Sequence, residues 1–248
     1  MIPKIIHYFW QSDKPMPEKL ARCVASWKKY CPDFELRCWT GDSLGEQTPL
    51  WVTQALQCKK YAFAADYMRY YALYHFGGIY MDTDVELIKP FGELLNAPCL
   101  FGRESHGDDQ VESGFAAVAP GNVFIKAMLD YYSGRPFIKD DGSLDMRGLP
   151  ATINEVTARH GISIIDVPSP AQISDDPRIL SVLPSDYFSP ISLQTLRLSV
   201  TDNTVAIHHF AATWKPASHK IKRSIQRAVG PNVTAFIIKI KDIILRRK

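Results

Sequence analysis

Two aspartates separated by one residue, Asp82 and Asp84, carry the clearest chemical signal in the sequence. They lie in residues 79–88, where apolar and polar residues alternate. Because successive side chains of a strand point to opposite faces, this pattern predicts one strand with both carboxylates on the same side. Adjacent carboxylates repel each other unless a cation lies between them, and a hard divalent cation that also binds phosphate meets this need. The motif alone is weak, since it also occurs on solvated strand faces.

The segment before this pair is the most evident helix. Residues 59–76 contain no Gly or Pro, and Gly77 and Gly78 follow them, where a left-handed residue can end the helix. Asp66 and Arg69 are three residues apart and therefore share one helix face. The pair is either a surface ion pair or a guanidinium held beside a cleft, where it would suit a diphosphate or sugar hydroxyls.

Strands and helices alternate through much of the chain. The predicted strands cover residues 4–10, 34–40, 114–119, 162–167 and 205–210, and further predicted helices cover residues 18–30, 124–132 and 149–160. This alternation predicts an α/β protein in which helices flank a sheet. Such sheets bind ligands at the carboxyl ends of their strands.

The charge of the chain is divided unevenly. Residues 215–248 carry ten Lys and Arg against one acidic residue, while the remaining residues carry 19 basic and 25 acidic ones, so the tail is +9 and the body −6. An acidic body without a recognised motif argues against nucleic-acid binding. The tail has apolar residues at helical spacing, which predicts a basic amphipathic helix. It either lies on an anionic membrane surface or packs on the main domain.

The expected location follows from three further features. The start lacks the pattern of a signal peptide, and no run of about 18 apolar residues occurs. The five cysteines include no Cys-x-x-Cys pair, which is typical of reduced thiols. These features predict a cytoplasmic protein, at the inner face of the cell membrane if the tail binds lipid.

The stretch from Tyr61 to Glu86 resembles the sugar-binding Asp-x-Asp region of glycosyltransferase family 32. That family includes bacterial capsular polysaccharide transferases and fungal mannosyltransferases, and the catalytic domains of large clostridial glucosylating toxins are similar. Residues 2–10 also resemble the first strand of the family. The resemblance implies an α/β GT-A fold, with a mixed central sheet flanked by helices, over residues 1–216. The basic tail of residues 217–248 would follow it.

The resemblance also implies an activity. We expect a retaining, metal-dependent hexosyltransferase that uses Mn²⁺ or Mg²⁺ and a nucleotide-sugar donor, with UDP-sugars favoured. The expected acceptor is a glycan or a lipid-linked oligosaccharide in bacterial surface or capsular polysaccharide synthesis. Three alternatives stay open: a mannosyltransferase that uses GDP-mannose, a non-catalytic module of the same fold that binds nucleotide sugars or glycans, and a phosphohydrolase.

Individual residues take their expected roles from the same resemblance. Asp66 and Arg69 match residues that hold the donor sugar and phosphates, Asp82 matches one that touches ribose and metal, and Asp84 matches the direct metal ligand. These four form the expected catalytic set. The other expected donor contacts are Trp10, which would stack on the base, and Ala65, Tyr80, Trp214 and Lys215.

The third metal ligand is expected from a pair of histidines. The stretch from Ile207 to Pro216 resembles the C-terminal His…Trp motif of these enzymes and the His-x-x-Gly-x-x-Lys-Pro motif of glycogenin-like transferases. The spacing to Lys215 favours His209 over His208. Because neighbours in a strand face opposite sides, only one of them should reach the metal. Without the resemblance, a structural His pair is the simpler interpretation.

The acceptor side stays unassigned. The chain departs from the family at Glu112-Ser-Gly114 and at residues 147–150. Asp108, Asp109 and Glu112 are the acceptor-site candidates, and a solvated loop is an equally good interpretation of them.

Overall fold

The computed structural model describes residues 1–105, 110–211, 229–230 and 232–234. The helices are α1 (Glu18–Tyr30), α2 (Leu50–Gln57), α3 (Tyr61–Phe76), α4 (Val123–Tyr132) and α5 (Leu149–Arg159). The strands are β1 (Ile5–Phe9), β2 (Glu35–Trp39), β3 (Gly78–Met81), β4 (Val85–Leu87), β5 (Cys99–Leu100), β6 (Phe115–Val118), β7 (Ser163–Asp166), β8 (Ile179–Val182) and β9 (Ala206–His208).

The central sheet is mixed and has the strand order β2-β1-β3-β6-β5. Strand β1 pairs in parallel with both β2 and β3, whereas β6 pairs antiparallel with β3 and β5. Two smaller sheets accompany it: β4 pairs antiparallel with β9, and β7 pairs in parallel with β8. The predicted α/β fold with a mixed central sheet flanked by helices is therefore confirmed, and this architecture is consistent with the GT-A fold.

The strand period of two divides the core into two layers, one on each face of the central sheet. On β3, Ile79 and Met81 pack on the face that holds Trp27 of α1, while Tyr80 packs on the opposite face with Met68 of α3. Trp27 is fully buried, and its indole N–H donates a 2.7 Å hydrogen bond to the carbonyl of Val85. This bond fixes α1 to β4, next to the pair of aspartates.

The passage from α3 into β3 requires two glycines. Gly77 and Gly78 have φ values of 62° and 92°, which other residues adopt only with strain. A Cβ at Gly78 would also lie 2.6 Å from the carbonyl oxygen of Ile5. The buried His7 ring accepts from the Trp39 indole at 3.1 Å and donates to the Gly77 carbonyl at 2.9 Å. The turn thereby places β3 directly beside β1.

Most of the predicted elements are present, with two differences. Residues 79–88 were expected to form one strand but form β3 and β4, which belong to different sheets. The short α2, β5 and β8 were not predicted. Among the described residues, no helix combines the length and the apolar character needed to cross a membrane. The predicted tail of residues 217–248 lies almost entirely outside the described residues, so the domain division stays a prediction.

Candidate active site

The pair Asp82 and Asp84 lies in a turn between β3 and β4, not within a continuous strand. The backbone N–H of Asp82 donates to the Gly114 carbonyl at 2.8 Å, and the N–H of Val85 closes the turn on the Asp82 carbonyl at 2.9 Å. The expectation that strand alternation aligns the two carboxylates is therefore wrong. Their side chains nevertheless converge, because the turn directs both toward the end of β9.

Asp84 is held from both its backbone and its side chain. One carboxylate oxygen accepts from the Ala211 N–H at 2.6 Å, and the Asp84 carbonyl accepts from the His209 N–H at 3.0 Å. Burial alone would raise the pKa of Asp84, but the positive charge of His208 and the Ala211 N–H outweigh it and hold the pKa at about 2. Asp84 is therefore ionised at neutral pH.

His208, the last residue of β9, is buried between two carboxylates. Its Nε2 lies 3.4 Å from Asp84 Oδ1, and its Nδ1 lies 2.8 Å from Glu112 Oε1. Burial lowers the pKa of His208, but Glu112 and Asp84 together raise it well above its ordinary value. The ring of Phe210 stacks on the imidazole with centroids 4.0 Å apart. These contacts fix the ring with its Nε2 edge toward the aspartates.

Asp82, Asp84 and His208 form a cluster whose ligand atoms all lie within 4.8 Å of one another. Two carboxylates and an imidazole are a donor set that suits Mn²⁺ or Mg²⁺, with the imidazole favouring Mn²⁺. The Asp82 side chain is 32% exposed, which leaves one side of the cluster open to solvent and phosphate. Without a cation, a protonated His208 offsets the aspartates, and a bound divalent cation would replace the Nε2 proton. The residues present therefore fit a divalent cation.

The choice between the two histidines is corrected by this geometry. His209 was the preferred third ligand, but its Nε2 lies 2.8 Å from Glu86 on the surface, and both side chains are about two-fifths exposed. Pairing of β4 with β9 places His208 opposite Val85, so that its imidazole faces inward and that of its neighbour faces outward. The expectation that only one of the two reaches the aspartates agrees with the structure, but that residue is His208.

Arg69 connects α3 to the cluster. Its Nη2 donates a 3.0 Å hydrogen bond to Asp82 Oδ1 and lies 3.7 Å from Asp66 Oδ1. Burial raises the pKa of Asp66 to about 7, against the lowering effect of Arg69. The guanidinium is buried, and its Nε and Nη1 have no hydrogen-bond partner among the described residues. Of the two interpretations of this pair, the surface ion pair is thus excluded.

Tyr80 packs against this guanidinium, and Ala65 lies in α3, and both residues are buried. The Tyr80 ring is 1% exposed and packs 4.5 Å from the Arg69 guanidinium carbon, an arrangement that favours the cation. Ala65 is buried in α3 immediately before Asp66. The structure therefore shows direct support of Arg69 by Tyr80, and the donor contacts of both residues stay predictions.

Of the remaining expected residues, Trp10 is not a member of the cluster, and the others lie outside the described residues. Trp10 follows β1, is half-buried, and its backbone N–H donates to the Trp39 carbonyl at 2.9 Å. Its stacking role stays a prediction. Trp214 and Lys215 lie outside the described residues, as do the acceptor candidates Asp108 and Asp109.

The third acceptor candidate, Glu112, has a different position from the one expected. It is 2% exposed, so it is not part of a solvated loop, and its Oε1 contacts both His208 and the Gly114 N–H. Sequence reasoning missed this role. The only signal was the departure from the family pattern at Glu112-Ser-Gly114, which marks the position without indicating its partner.

Comparison with known proteins finds related sequences over the part of the chain that carries the acidic pairs. Residues 17–101 match the family described as "Glycosyltransferase sugar-binding region containing DXD motif". This region includes Asp66, Arg69, Asp82 and Asp84 but ends before Glu112. The predicted relationship to family 32 is confirmed for this region.

Two yeast proteins illustrate the relationship. "Inositol phosphoceramide mannosyltransferase 3" of Schizosaccharomyces pombe is 36% identical over 128 residues, which cover 50% of this chain and 35% of the relative. "Mannosyl phosphorylinositol ceramide synthase CSH1" of Saccharomyces cerevisiae is 29% identical over 109 residues, or 42% of this chain and 29% of the relative. The chain thus matches about a third of the length of these relatives.

Among solved structures, the chain resembles "PaToxG Glycosyltransferase" with a TM-score of 0.48 and 21% sequence identity. The likeness covers 64% of this chain and 70% of that one.

Proposed function

The chain carries the DXD-type sugar-binding region of family-32-like glycosyltransferases, and on this premise we propose that it is a metal-dependent glycosyltransferase with a nucleotide-sugar donor. The observation that carries the proposal is that Asp82 belongs to two groups at once. Its carboxylate lies in the cluster with Asp84 and His208, and it accepts the 3.0 Å hydrogen bond from Arg69. A candidate cation site and a guanidinium are therefore adjacent, and both are groups that bind the oxygens of a diphosphate.

The residues of the chain divide the work of transfer between them. Asp82, Asp84 and His208 would hold the divalent cation, which would neutralise the charge that grows on the leaving diphosphate. Asp66 and Tyr80 hold the Arg69 guanidinium in place, so that its orientation is fixed before the donor binds. The acceptor hydroxyl would attack from the face that the diphosphate leaves, which retains the anomeric configuration and needs no protein nucleophile.

The metal requirement is tested by donor hydrolysis and transfer with Mn²⁺, and again after EDTA treatment. We expect activity to disappear with the chelator and to return with added Mn²⁺. Full activity in EDTA would exclude the metal-dependent mechanism. The anomeric configuration of the product, read by NMR, tests retention. Free phosphate without a transferred or released sugar would indicate the phosphohydrolase, and donor binding without turnover would indicate the non-catalytic module.

The identity of the donor sugar is a second question. UDP-sugars are the expectation from the sequence, whereas the names of the yeast relatives favour mannose, and hence GDP-mannose as the donor. A thermal-shift panel of UDP- and GDP-sugars with Mn²⁺ separates the two, because a ligand that binds the folded state raises the melting temperature by mass action. A shift with GDP-mannose alone would support the mannosyltransferase.

The acceptor and the location remain proposals of the same kind. The relatives' names refer to inositol phosphoceramide, a lipid, which favours a lipid-linked acceptor over a soluble glycan. Membrane contact through the basic tail would serve such an acceptor at the cytoplasmic face. Deletion of residues 220–248 should then weaken sedimentation with anionic vesicles, and unchanged sedimentation would remove the membrane role.

A further inference from the structure

Glu112 is a buried acid whose carboxylate is tied to the candidate cation site. Its side chain is fully buried, and its backbone N–H donates to the Gly102 carbonyl at 2.7 Å, which fixes the start of the side chain. Its Oε1 accepts from the Gly114 N–H at 2.5 Å and contacts His208 Nδ1 at 2.8 Å. The burial of a carboxylate is costly unless the carboxylate is paired with a positive charge and hydrogen-bonded. The Gly114 N–H and the His208 imidazole are the partners that offset this cost.

The contact with Nδ1 determines which nitrogen of His208 can bind a cation. A carboxylate can only accept, so the Nδ1 of the imidazole must carry the hydrogen. The other nitrogen, Nε2, then keeps its lone pair when the ring is neutral, and it is this nitrogen that faces Asp84 at 3.4 Å. A carboxylate that orients a metal-binding histidine through its distant N–H is a recurrent arrangement in metal sites.

Gly114 completes the arrangement with two hydrogen bonds and a position close to the His208 ring. Its N–H donates to Glu112 Oε1, and its carbonyl accepts from the Asp82 N–H at 2.8 Å. A Cβ at this position would lie 2.6 Å from Cε1 of His208 and 3.0 Å from Glu112 Oε1. One residue without a side chain therefore sets the spacing between the turn that carries the aspartates and the buried Glu112–His208 pair.

We propose that Glu112 is a positioning residue that presents Nε2 of His208 to a divalent cation shared with Asp82 and Asp84. This inference rests on the proposed function and extends it, because the matched sugar-binding region ends at residue 101 and includes neither Glu112 nor His208. Glu112 is not part of the ligand cluster, because it contacts the Nδ1 side of the imidazole, whereas Asp84 faces Nε2.

The chain contains a matched control. Glu86 and His209 form a second carboxylate–imidazole pair with the same 2.8 Å separation, but on the surface and outside the cluster. The experiment measures Mn²⁺ affinity by isothermal titration calorimetry for the unsubstituted protein and for Glu112→Gln, Glu112→Leu and Glu86→Gln. Glu112→Gln keeps the volume and an acceptor oxygen, whereas Glu112→Leu removes the acceptor, and circular dichroism checks that each variant is folded.

We expect Mn²⁺ affinity to fall on the order of 10-fold in Glu112→Gln and up to about 100-fold in Glu112→Leu, with no change in Glu86→Gln. The ring tautomer provides a second measurement that a purely structural role would not change. In the Mg²⁺-bound protein, ¹⁵N NMR should show His208 with its hydrogen on Nδ1, and at the same Mg²⁺ concentration Glu112→Leu should show a smaller fraction of His208 with a metal-bound Nε2.

Different results would contradict the proposed metal site and the proposed role of Glu112. Absence of Mn²⁺ binding by the unsubstituted protein would overturn the metal site of the proposed function and this inference with it. Unchanged Mn²⁺ affinity in both Glu112 variants, together with weakened affinity in His208→Ala, would overturn the role of Glu112 alone. A hydrogen on Nε2 in the Mg²⁺-bound protein would remove His208 from the ligand set, because a nitrogen that carries a hydrogen cannot bind the cation, and the role of Glu112 would be overturned with it.

Discussion

His208 and His209 are neighbours in the chain, yet their imidazoles pair with different glutamates on opposite sides of the backbone. His208 contacts the buried Glu112, and His209 contacts the exposed Glu86, each at 2.8 Å. The two pairs have the same distance, and they differ in burial and in their proximity to Asp82 and Asp84. The inner pair belongs to the candidate site, and the outer pair is an exposed surface contact of small energetic value.

Alanine substitution of each histidine should therefore have unequal effects. His208→Ala removes a cluster ligand, so donor turnover at fixed Mn²⁺ should fall on the order of 10- to 100-fold. His209→Ala removes an exposed side chain and keeps the backbone N–H that binds the Asp84 carbonyl, so turnover should stay within about twofold of the parent. Steady-state hydrolysis of the donor provides the measurement. Equal losses in the two variants would contradict the assignment of His208.

Asp84→Asn tests the charge of the ligand separately from its shape. The amide oxygen can still accept from the Ala211 N–H, but the negative charge is lost, and kcat/KM should fall by about 100-fold or more. Asp130→Asn is a suitable control, because this acid lies half-exposed on α4 and pairs with Lys126. A variant at position 84 that keeps parental kcat/KM would remove Asp84 from the site.

Arg69→Met should be destabilising because it leaves the buried Asp66 without its guanidinium. Loss of one partner of a buried pair costs on the order of 3–5 kcal/mol in the free energy of unfolding. The double variant Asp66→Asn/Arg69→Met should recover part of this loss. Lys126→Met breaks the exposed i,i+4 pair with Asp130 and should change stability by less than about 0.5 kcal/mol. Urea unfolding measures all three, and equal effects would show that Arg69 is not held as described.

Gly114→Ala inserts a methyl group where the His208 ring lies. Because this methyl group would be 2.6 Å from Cε1, the ring or the turn must move, at a cost of about 1–3 kcal/mol and with weaker Mn²⁺ binding. Gly148→Ala is the matched control, since its nearest neighbouring atom is 4.0 Å away. Thermal unfolding and calorimetric titration with Mn²⁺ measure both effects. Parental Mn²⁺ affinity in Gly114→Ala would show that the ring position is unimportant.

His7 should make stability depend on pH below neutrality. Burial lowers its pKa from 6.5 to about 4, with a smaller opposing effect from the Gly77 carbonyl. Between these two values the unfolded chain binds a proton that the folded chain does not, so stability falls as the pH falls through this window and levels off below pH 4. At about 1.4 kcal/mol per pKa unit, the loss is about 3 kcal/mol.

The contribution of His7 is measured by urea unfolding at a series of pH values. His7→Gln should flatten the dependence between pH 6.5 and pH 4, although its overall stability is lower. His160→Gln, at an exposed position after α5, should keep the parental slope. An unchanged slope in His7→Gln would mean that another group causes the acid sensitivity.

The sequence predicts elements well where local signals are strong. Helix α1 has the predicted limits, because Pro17 and Pro32 bound an amphipathic stretch, and α3 ends at Gly77 as expected. The short α2 was missed because eight residues show little periodicity. The break between β3 and β4 was missed because residues 79–88 alternate regularly. What ends β3 is the turn that the Val85 N–H closes on the Asp82 carbonyl, after which β4 pairs with β9, a contact made only in the folded protein.

The residues of the candidate site also divide into those that local sequence indicates and those that only the folded chain brings together. Asp66, Arg69, Asp82 and Asp84 lie within 19 residues of one another, so their proximity could be inferred from one helix and the segment after it. Glu112 and His208 are 96 positions apart, and no local pattern indicates that they meet. The choice of His209 relied on spacing to Lys215, whereas the register of β9 on β4 decides which ring faces inward.

The two-stranded sheet of β4 and β9 has a consequence for folding. Asp84 lies immediately before β4, and His208 ends β9, so the candidate ligands come together only after the chain between them has folded and β9 has docked. An ion bound by all three would stabilise only those conformations in which this late strand is paired. Occupancy would thus depend on the docking of β9, and a molecule in which β9 has frayed would release its ion before the central sheet is disturbed.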